Sequence, residues 1–248
     1  MGEIPGSWRY LSGWVCPTGC FGADDAPWYS DAAAYWDDEG NCAIDNDGVL
    51  GGYGHITPTD YAGSRAFLDA LQQNFPSMRF ERAADVGAGI GRVAKGVLLP
   101  RYARVDLLEQ SARLLAAAPA YVGADAARRV TLLRGSMQQW APDAASYDLV
   151  WIQWVIGHLT DADTVGFLRR CKAALRPGGF LVVKDNFFYE DDEDGDEYYV
   201  DRDDSSIIRS PRYMRALFKR AGLATVAEIV QDKFPSELYP VRMVAFSA

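Results

Sequence analysis

Three glycines spaced two residues apart mark the part of the chain best suited to hold a nucleotide-like ligand. Gly87, Gly89 and Gly91 follow an apolar run that predicts a strand over 80–86, and a helical pattern begins at Arg92. Glycine lets the backbone turn sharply and lets a ligand approach without meeting a Cβ atom. The dinucleotide fingerprint would need its third glycine where this chain has Arg92, so the spacing argues against that cofactor class.

Two acidic residues flank this glycine turn. Asp85 stands two positions ahead of Gly87, and Glu109 ends the second predicted strand, about twenty residues past the turn. A carboxylate at that position can accept hydrogen bonds from both hydroxyls of a ribose. The alternative interpretation of Glu109 is a solvated acid in a loop.

Further chemically capable side chains follow the next three predicted strands. Met137 and Gln138 follow the third strand, Gln153, Trp154 and His158 follow the fourth, and Asp185 and Asn186 follow the fifth. Because ligands of open α/β sheets bind beyond the carboxyl ends of the strands, we expect these residues to meet at one edge. Met137 and Gln138 could instead be plain loop residues, and His158 a hydrogen-bonded core histidine.

The elements that must position these residues alternate between strand and helix, which predicts parallel strands covered by helices. Strands are predicted over 80–86, 105–109, 130–133, 147–152 and 180–184, and helices over 61–73, 92–99, 111–118, 161–175 and 211–221. Residues 57–60 offer a helix N-cap, 176–179 end a helix, and 224–230 and 241–246 predict a hairpin at the sheet edge. These patterns predict an α/β fold.

The N-terminal part of the chain lacks such alternation. Residues 1–27 predict an extension that is draped on the surface or partly disordered, and 28–248 a single domain. A short helix with an aromatic face is predicted around 28–36. Its Trp36 either packs on the core or covers the bound ligand as a lid.

Composition narrows the classes of partner. The 248 residues carry a formal net charge of −9, with 49% hydrophobic and 24% charged residues, which indicates a globular protein. The acidic balance argues against nucleic-acid binding and favours a cationic partner. The run 190–197 is either a solvated loop or an anionic rim that would attract a basic peptide.

Neither a membrane span nor a secretory signal is visible in the sequence, so we expect a cytoplasmic or nuclear protein without a membrane partner. The four cysteines are Cys16, Cys20, Cys42 and Cys171. Cys16 and Cys20 could ligate a metal, but the chain has two histidines and no second cysteine pair. Reduced thiols and no metal site are therefore the expectation.

Several motifs together resemble the protein α-N-terminal methyltransferase family, which belongs to the class I S-adenosylmethionine-dependent methyltransferases. These motifs are the segments 50–56, 87–92, 151–161, 184–186 and 204–206, and the resemblance runs from about Trp28 to the C-terminus. Enzymes of this family methylate the free α-amine of proteins that begin Xaa-Pro-Lys once the initiator Met is removed. The resemblance implies a Rossmann-like class I methyltransferase sheet with a terminal antiparallel hairpin and N-terminal helical additions.

The resemblance also implies roles for individual residues. Cofactor contacts are implied for Trp36, Gly87, Arg92, Glu109, Met137, Gln138 and Gln153, to which the glycine turn adds Gly89 and Gly91. Peptide contacts are implied for Leu50, Gly51, Trp154, Asn186, Asp201, Asp204, Ser206 and Tyr239, and proton acceptance for His158 and Asp204. The chain departs from the family at Glu109, where the family usually has Asp.

Elementary acid–base chemistry suits these roles. A free α-amine has a pKa of about 7.7–8.0 and must be neutral to attack a methyl carbon. An imidazole near 6.5 accepts that proton more readily than a carboxylate near 3.9 does, which favours His158 as the base and Asp204 as the residue that orients the amine. The alternative is that Asp204 accepts the proton. Trp154 offers a flat face for a proline ring.

Two other functions remain open from the sequence. The cofactor half of such a fold serves many acceptors, so a small-molecule methyltransferase is one alternative, and a cofactor-binding scaffold without catalysis is another. A small apolar acceptor would not need Trp154, Asn186 or the pair Asp201 and Asp204. The intact His158 argues against a scaffold.

Overall fold

A seven-stranded sheet forms the centre of the protein, as described by a computed structural model for residues 26–188 and 197–248. The strands are β1 Arg82–Val86, β2 Arg104–Glu109, β3 Val130–Arg134, β4 Tyr147–Gln153, β5 Leu175–Asn186, β6 Tyr198–Asp201, β7 Ser206–Arg209, β8 Thr225–Val230 and β9 Val241–Ser247. The order in the sheet is β3-β2-β1-β4-β5-β9-β8, with β6 and β7 paired separately. The first five strands are parallel, and β9 runs antiparallel to β5 and β8. This confirms the predicted α/β Rossmann-like sheet with its terminal hairpin.

Six helices accompany the strands in the described residues: α1 Ala26–Asp37, α2 Thr57–Asn74, α3 Ala112–Val122, α4 Ala124–Ala127, α5 Asp161–Ala174 and α6 Pro211–Arg220. Alternation along the buried strands gives each face its own core. Val150 and Ile152 pack with α5 and α6, whereas Leu149 and Trp151 pack with α2 and α3. The sheet is therefore covered on both sides, as parallel strands require.

Helix α2 begins earlier than the sequence suggests. Thr57–Asp60 was predicted to cap a helix over 61–73, but the helix already starts at Thr57, with Pro58 in its first turn. Proline is well tolerated there because its missing N–H would have no intrahelical partner. Asp60 consequently lies inside the first turn, fully buried, rather than at an exposed cap.

The predicted helix over 92–99 contains a π-type turn, Ala94–Leu98, in which the Leu99 N–H donates to the Ala94 carbonyl at 2.8 Å. The Tyr61 hydroxyl donates to the Arg92 carbonyl at 2.7 Å, an acceptor that a regular helix would reserve for its own backbone. Strand β5 is also longer than predicted. It includes 176–179, because a register shift opposite Tyr147 absorbs the turn residues.

The β6–β7 hairpin was not predicted. Its two strands have four residues each, too short for a periodic pattern to be recognised. Cys16, Cys20 and 190–196 of the acidic run lie outside the described residues. Within the described ranges, no helix is long and apolar enough to cross a bilayer, and no group of three or more His, Cys, Asp or Glu side chains could hold a metal.

Candidate functional site

A cleft of about 980 Å³, including its part open to solvent, lies beyond the carboxyl ends of β1, β2 and β4. Eight of the nine predicted cofactor residues line it: Trp36, Gly87, Gly89, Arg92, Glu109, Met137, Gln138 and Gln153. Gly91 is not among the lining residues. Its φ of 81° needs glycine, and a Cβ there would meet Val122 and Leu107 at 3.1 and 3.3 Å, so it packs the turn against α3.

Glu109 is held by backbone donors on both of its oxygens. The N–H of Gly89 donates to Oε2 at 2.9 Å and the N–H of Ser111 donates to Oε1 at 2.8 Å. Burial raises the pKa of this carboxyl, and these backbone hydrogen bonds oppose the rise. The Glu109 side chain is 7% exposed, which excludes the solvated-acid interpretation. The N–H of Gln110 is a third backbone donor, and an ionised carboxylate with about four acceptor positions keeps capacity for a ligand hydroxyl.

A buried charge network lies beneath the cleft. Asp60 on α2 pairs with Arg92 at 2.7 Å and with Lys184 of β5 at 2.5 Å, and it accepts from Gln153 Nε2 at 2.9 Å. Burial lowers the pKa of Lys184, and the Asp60 charge opposes this. The Arg92 charge also acts on the buried Asp85 carboxyl. Because Arg92 lines the cleft, its guanidinium can meet an anionic group there.

Helix α1 covers the cleft with Trp36, whose ring lies edge-on to His158 at 5.9 Å between centroids. Trp36 also packs against the small cluster of Cys42, Ile90 and Leu114, as the core interpretation supposed. It lines the cleft as well, and its role as a lid over a bound ligand stays a prediction. Its indole Nε1 is buried without a hydrogen-bond partner. A ligand acceptor would satisfy this donor.

Trp154 occupies a strained position at the end of β4. Its φ is 55°, a conformation that bulky side chains seldom adopt, and its N–H donates to the Lys184 carbonyl at 3.0 Å. The ring lies 5.3 Å from the Arg92 guanidinium carbon and 6.3 Å from the Phe234 ring. Strain of this kind is typical of functional sites.

His158 belongs to a short 3₁₀ turn, Ile156–His158, and lines the cleft. Its Nδ1 lies 2.9 Å from the carbonyl oxygen of Ser205. Because a carbonyl can only accept, Nδ1 must carry the proton, and in the neutral ring Nε2 is then the acceptor. The histidine is thus hydrogen-bonded, as the structural alternative supposed, and it also faces the cleft as a base requires.

Asp204 lies in the turn between β6 and β7. Burial raises its pKa, opposed by a hydrogen bond from the Ser206 hydroxyl and by the charge of His158. The Oδ1 atom is buried and has no hydrogen-bond partner. Burial raises the pKa of Tyr199 to about 12, with the charge of Asp201 as the next cause. An acceptor in this environment favours a donor that also carries positive charge.

The hairpin that carries Asp204 is fixed to the segment that carries His158. Arg209 of β7 pairs with Asp161 at 2.9 Å, both buried, and donates to the Leu159 carbonyl at 2.8 Å. A Cβ on Gly157 would lie 3.0 Å from the Ile207 carbonyl oxygen, so the two backbones approach closely there. The tertiary fold therefore sets the position of Asp204 relative to His158.

The remaining predicted peptide residues are distributed around the cleft. Leu50 and Trp154 line it, whereas Gly51, Asn186, Asp201, Asp204, Ser206 and Tyr239 do not. The Tyr239 ring lies 6.0 Å from Phe188 and 6.3 Å from Tyr199 of β6.

Sequence reasoning missed the roles of Asp60, Lys184 and Ser205. Asp60 and Lys184 are buried partners of cleft residues, and the Ser205 carbonyl fixes the His158 ring. Pro58 was the one available signal that helix α2 starts early enough to bury Asp60.

Known proteins are similar to this chain over most of its length. A model of the family described as AdoMet dependent proline di-methyltransferase matches residues 24–247. The N-terminal Xaa-Pro-Lys N-methyltransferase 1 of Xenopus tropicalis is 40% identical over 220 residues, covering 88% of this chain and 94% of that protein. The alpha N-terminal protein methyltransferase 1 of Arabidopsis thaliana is 39% identical, covering 89% and 79%.

Among solved structures, a SAM-dependent methyltransferase of Leishmania major superimposes with a TM-score of 0.82 at 33% identity, covering 93% of this chain and 91% of that chain. The match of sequence and fold spans both the glycine turn with Glu109 and the segment with Trp154 and His158. The chain therefore belongs to the S-adenosylmethionine-dependent proline dimethyltransferase family.

Proposed function

We propose that this enzyme transfers methyl groups from S-adenosylmethionine to the free α-amine of proteins that begin Xaa-Pro-Lys. The observation that carries the proposal is the buried, unpartnered Oδ1 of Asp204, in a turn whose Ser205 carbonyl also orients His158. An α-ammonium group offers three donors and a positive charge, which this acceptor lacks. The name of the Xenopus tropicalis relative supports the same substrate class.

The cleft residues fit S-adenosylmethionine group by group. The Arg92 guanidinium, which lines the cleft and is held by Asp60, suits the carboxylate of the methionine part. Glu109 suits the ribose hydroxyls, and the unpartnered Nε1 of Trp36 can donate to an acceptor of the cofactor. Bound S-adenosylmethionine supplies an electrophilic methyl group on a positively charged sulfur.

His158 takes the proton from the amine. Its Nδ1 is committed to the Ser205 carbonyl, so Nε2 is the basic atom. Asp204 holds the amine while it is cationic and keeps it oriented once it is neutral. Each round of methylation releases one proton, which the solvent-connected cleft must carry away before the next amine hydrogen is lost.

The surroundings of Asp204 suit the rest of the peptide. Trp154 presents an aromatic ring for the proline, and Asp201 adds negative charge near the turn of the hairpin. The net charge of −9 draws a basic segment such as one containing Lys toward the protein. A small apolar acceptor would leave Asp204 Oδ1 without a hydrogen-bond donor.

The test is a methylation assay read by mass spectrometry. A ten-residue peptide beginning Ala-Pro-Lys should gain 14-Da increments at its α-amine when incubated with the enzyme and S-adenosylmethionine, whereas the Nα-acetylated peptide should gain none. Equal modification of both peptides, or modification of neither, would refute the proposed substrate. A peptide beginning Ala-Ala-Lys controls for the contribution of proline.

A further inference from the structure

The segment 231–240, which joins β8 to β9, is anchored inside the protein at its first residue. Gln231 is 7% exposed, and its N–H donates to the Val241 carbonyl at 2.8 Å. Its side-chain Oε1 accepts from Lys184 Nζ at 2.9 Å, and its Nε2 donates to the Asp232 carbonyl at 3.0 Å. Both ends of the amide are therefore used, which leaves the side chain one orientation.

Lys184 is itself fixed by the residues that hold the cofactor side of the cleft. Its ammonium group contacts Asp60 at 2.5 Å and donates to the Ser64 hydroxyl at 3.0 Å. Asp60 also pairs with Arg92, a lining residue of the cleft. A single buried network thus runs from the cofactor side to the start of the 231–240 segment.

The same segment reaches the proposed peptide side of the cleft. Phe234 packs on Trp154 with 6.3 Å between the ring centroids, and the Lys184 ammonium lies 5.7 Å from the Phe234 ring. Further along, Tyr239 packs 6.3 Å from Tyr199 of the hairpin that carries Asp204. The path of this segment therefore determines where two aromatic rings stand beside the peptide site.

Gly63 of α2 leaves the space that the Gln231 amide occupies. A Cβ on Gly63 would stand 2.1 Å from Gln231 Oε1 and 2.5 Å from Nε2, closer than any real contact, so the amide would have to move. The amide is the far end of a flexible side chain and can move without disturbing the backbone. In a helix interior, alanine in place of glycine stabilises the helix.

We propose that Gln231 is a positioning residue for the peptide substrate: held by Lys184 and admitted by Gly63, it fixes the 231–240 segment so that Phe234 supports Trp154. This inference rests on the proposed function. According to this proposal, the affinity for the peptide, rather than the affinity for the cofactor, depends on the buried Gln231 amide, which contacts neither ligand. The Asp60 pairs with Arg92 and Lys184 remain when the amide is lost, so the cofactor side is preserved.

The experiment compares two independent ways of removing the same contact. Gly63→Ala displaces the amide and Gln231→Leu deletes its polar atoms; Gln72→Leu, on the exposed side of α2, is the matched control. Because the amide fixes the segment whose Phe234 packs on Trp154, we expect the peptide KM to rise about tenfold in both variants, which corresponds to about 1.4 kcal/mol of binding free energy. The dissociation constant of S-adenosylhomocysteine, measured by calorimetry, should stay within about twofold of wild type.

The double variant Gly63→Ala/Gln231→Leu sharpens the test. Since both changes act through one amide, its KM should be no higher than that of the worse single variant, whereas unrelated effects would multiply. Gly63→Ala should melt closer to wild type than Gln231→Leu does, because alanine stabilises helix α2 and so offsets part of the cost of the lost hydrogen bond. Hydrogen exchange should quicken over 231–240 in both single variants and not in Gln72→Leu.

Each result has one meaning. Wild-type KM in Gly63→Ala and Gln231→Leu, with wild type itself active, would overturn the inference and leave the proposed function intact. Loss of peptide and S-adenosylhomocysteine binding in parallel would also overturn it, because that pattern indicates general destabilisation. Failure of the wild-type enzyme to methylate the peptide would remove the proposed function and, with it, this inference.

Discussion

Replacement of Asp204 by Asn separates the function of this residue from its effect on stability. Asp204 is half-buried, its Oδ1 atom is buried without a hydrogen-bond partner, and burial raises the pKa of its carboxyl. In the absence of peptide the charge therefore costs free energy, whereas bound peptide supplies the missing donors. We expect Asp204→Asn to weaken peptide binding while leaving the protein equally stable or more stable.

The expected size follows from the hydrogen bond that the amine would make. A hydrogen bond between charged groups contributes about 1.5–3 kcal/mol, which corresponds to an increase of about 10- to 150-fold in the peptide KM. S-adenosylhomocysteine affinity should not change, because Asp204 does not line the cleft that holds the cofactor. The matched control is Asp203→Asn, in the same turn but exposed, which should change KM by less than about threefold.

The contribution of Asp204 to stability changes with pH in a known direction. The pKa of its carboxyl is higher in the folded protein than the ordinary value of 3.8, so the protonated carboxyl stabilises the fold at pH values below 3.8. This contribution is lost as the pH rises through the folded-state pKa. At pH 7.5 the wild type bears more of the cost of the buried charge than it does at low pH, and Asp204→Asn should melt at the same or a higher temperature. The difference should shrink as the pH falls toward 3.8 and below.

The assay combines steady-state kinetics on the Ala-Pro-Lys peptide, calorimetry with S-adenosylhomocysteine, and melting at pH 4 and 7.5. A peptide KM within twofold of wild type would refute the role of Asp204 in holding the amine. A melting temperature that falls at pH 7.5, with both ligands weakened, would show that the carboxylate stabilises the fold. Equal effects of Asp203→Asn and Asp204→Asn would indicate diffuse attraction of the peptide by charge.

Two further predictions concern protons. His158→Ala should lower turnover about a hundredfold at pH 7. The variant should regain about sevenfold by pH 9, because the neutral fraction of an amine with a pKa near 7.8 rises from about one seventh to more than nine tenths. A pH–rate profile in which the variant stays parallel to wild type would refute His158 as the base. Burial raises the pKa of Asp85 from 3.8 to about 7, so the stability that its protonated form contributes is lost as the pH rises between these values. Asp85→Asn, which keeps an acceptor for the Ala94 N–H, should therefore flatten the fall in melting temperature between pH 4 and 8, and an unchanged slope would contradict this.

The sequence predicts those features of the fold and the cleft that depend on position along a strand. Glu109 could be placed because it ends a strand next to the glycine turn, and parallel strands carry such residues to one edge. The burial of Asp60 could not be predicted, because it depends on Arg92 and Lys184, which come from elsewhere in the chain. Charge burial of this kind leaves no periodic signal, since a paired carboxylate and a solvated one look alike in sequence.

The same limit applies to the β6–β7 hairpin and to β5. Residues 176–179 contain the turn-forming sequence Arg-Pro-Gly-Gly, and only the register opposite Tyr147 and Leu149 shows that a strand absorbs it. The hairpin is held by Arg209 and Asp161, which are 48 residues apart in the chain. Resemblance to a family located His158 and Asp204 as a pair, but their common support, the Ser205 carbonyl and the turn around it, became apparent from the structure.

Two of the buried polar atoms that lack a partner among the described residues lie where a proposed ligand would supply that partner. Trp154 holds a positive φ, Trp36 Nε1 lacks an acceptor on the cofactor side, and Asp204 Oδ1 lacks a donor on the peptide side. Buried ion pairs, Asp60 with Lys184 and Asp161 with Arg209, hold the surrounding backbone so that these costs persist. In such a site, each ligand supplies a hydrogen bond that the free enzyme cannot make, and this contributes to the binding free energy. Little rearrangement of the protein is then needed when the amine meets the methyl donor. Replacing the strained residue or the groups without partners by residues that fit the free protein better should raise the stability of the fold and lower the activity. Replacing a core residue should instead lower both stability and activity.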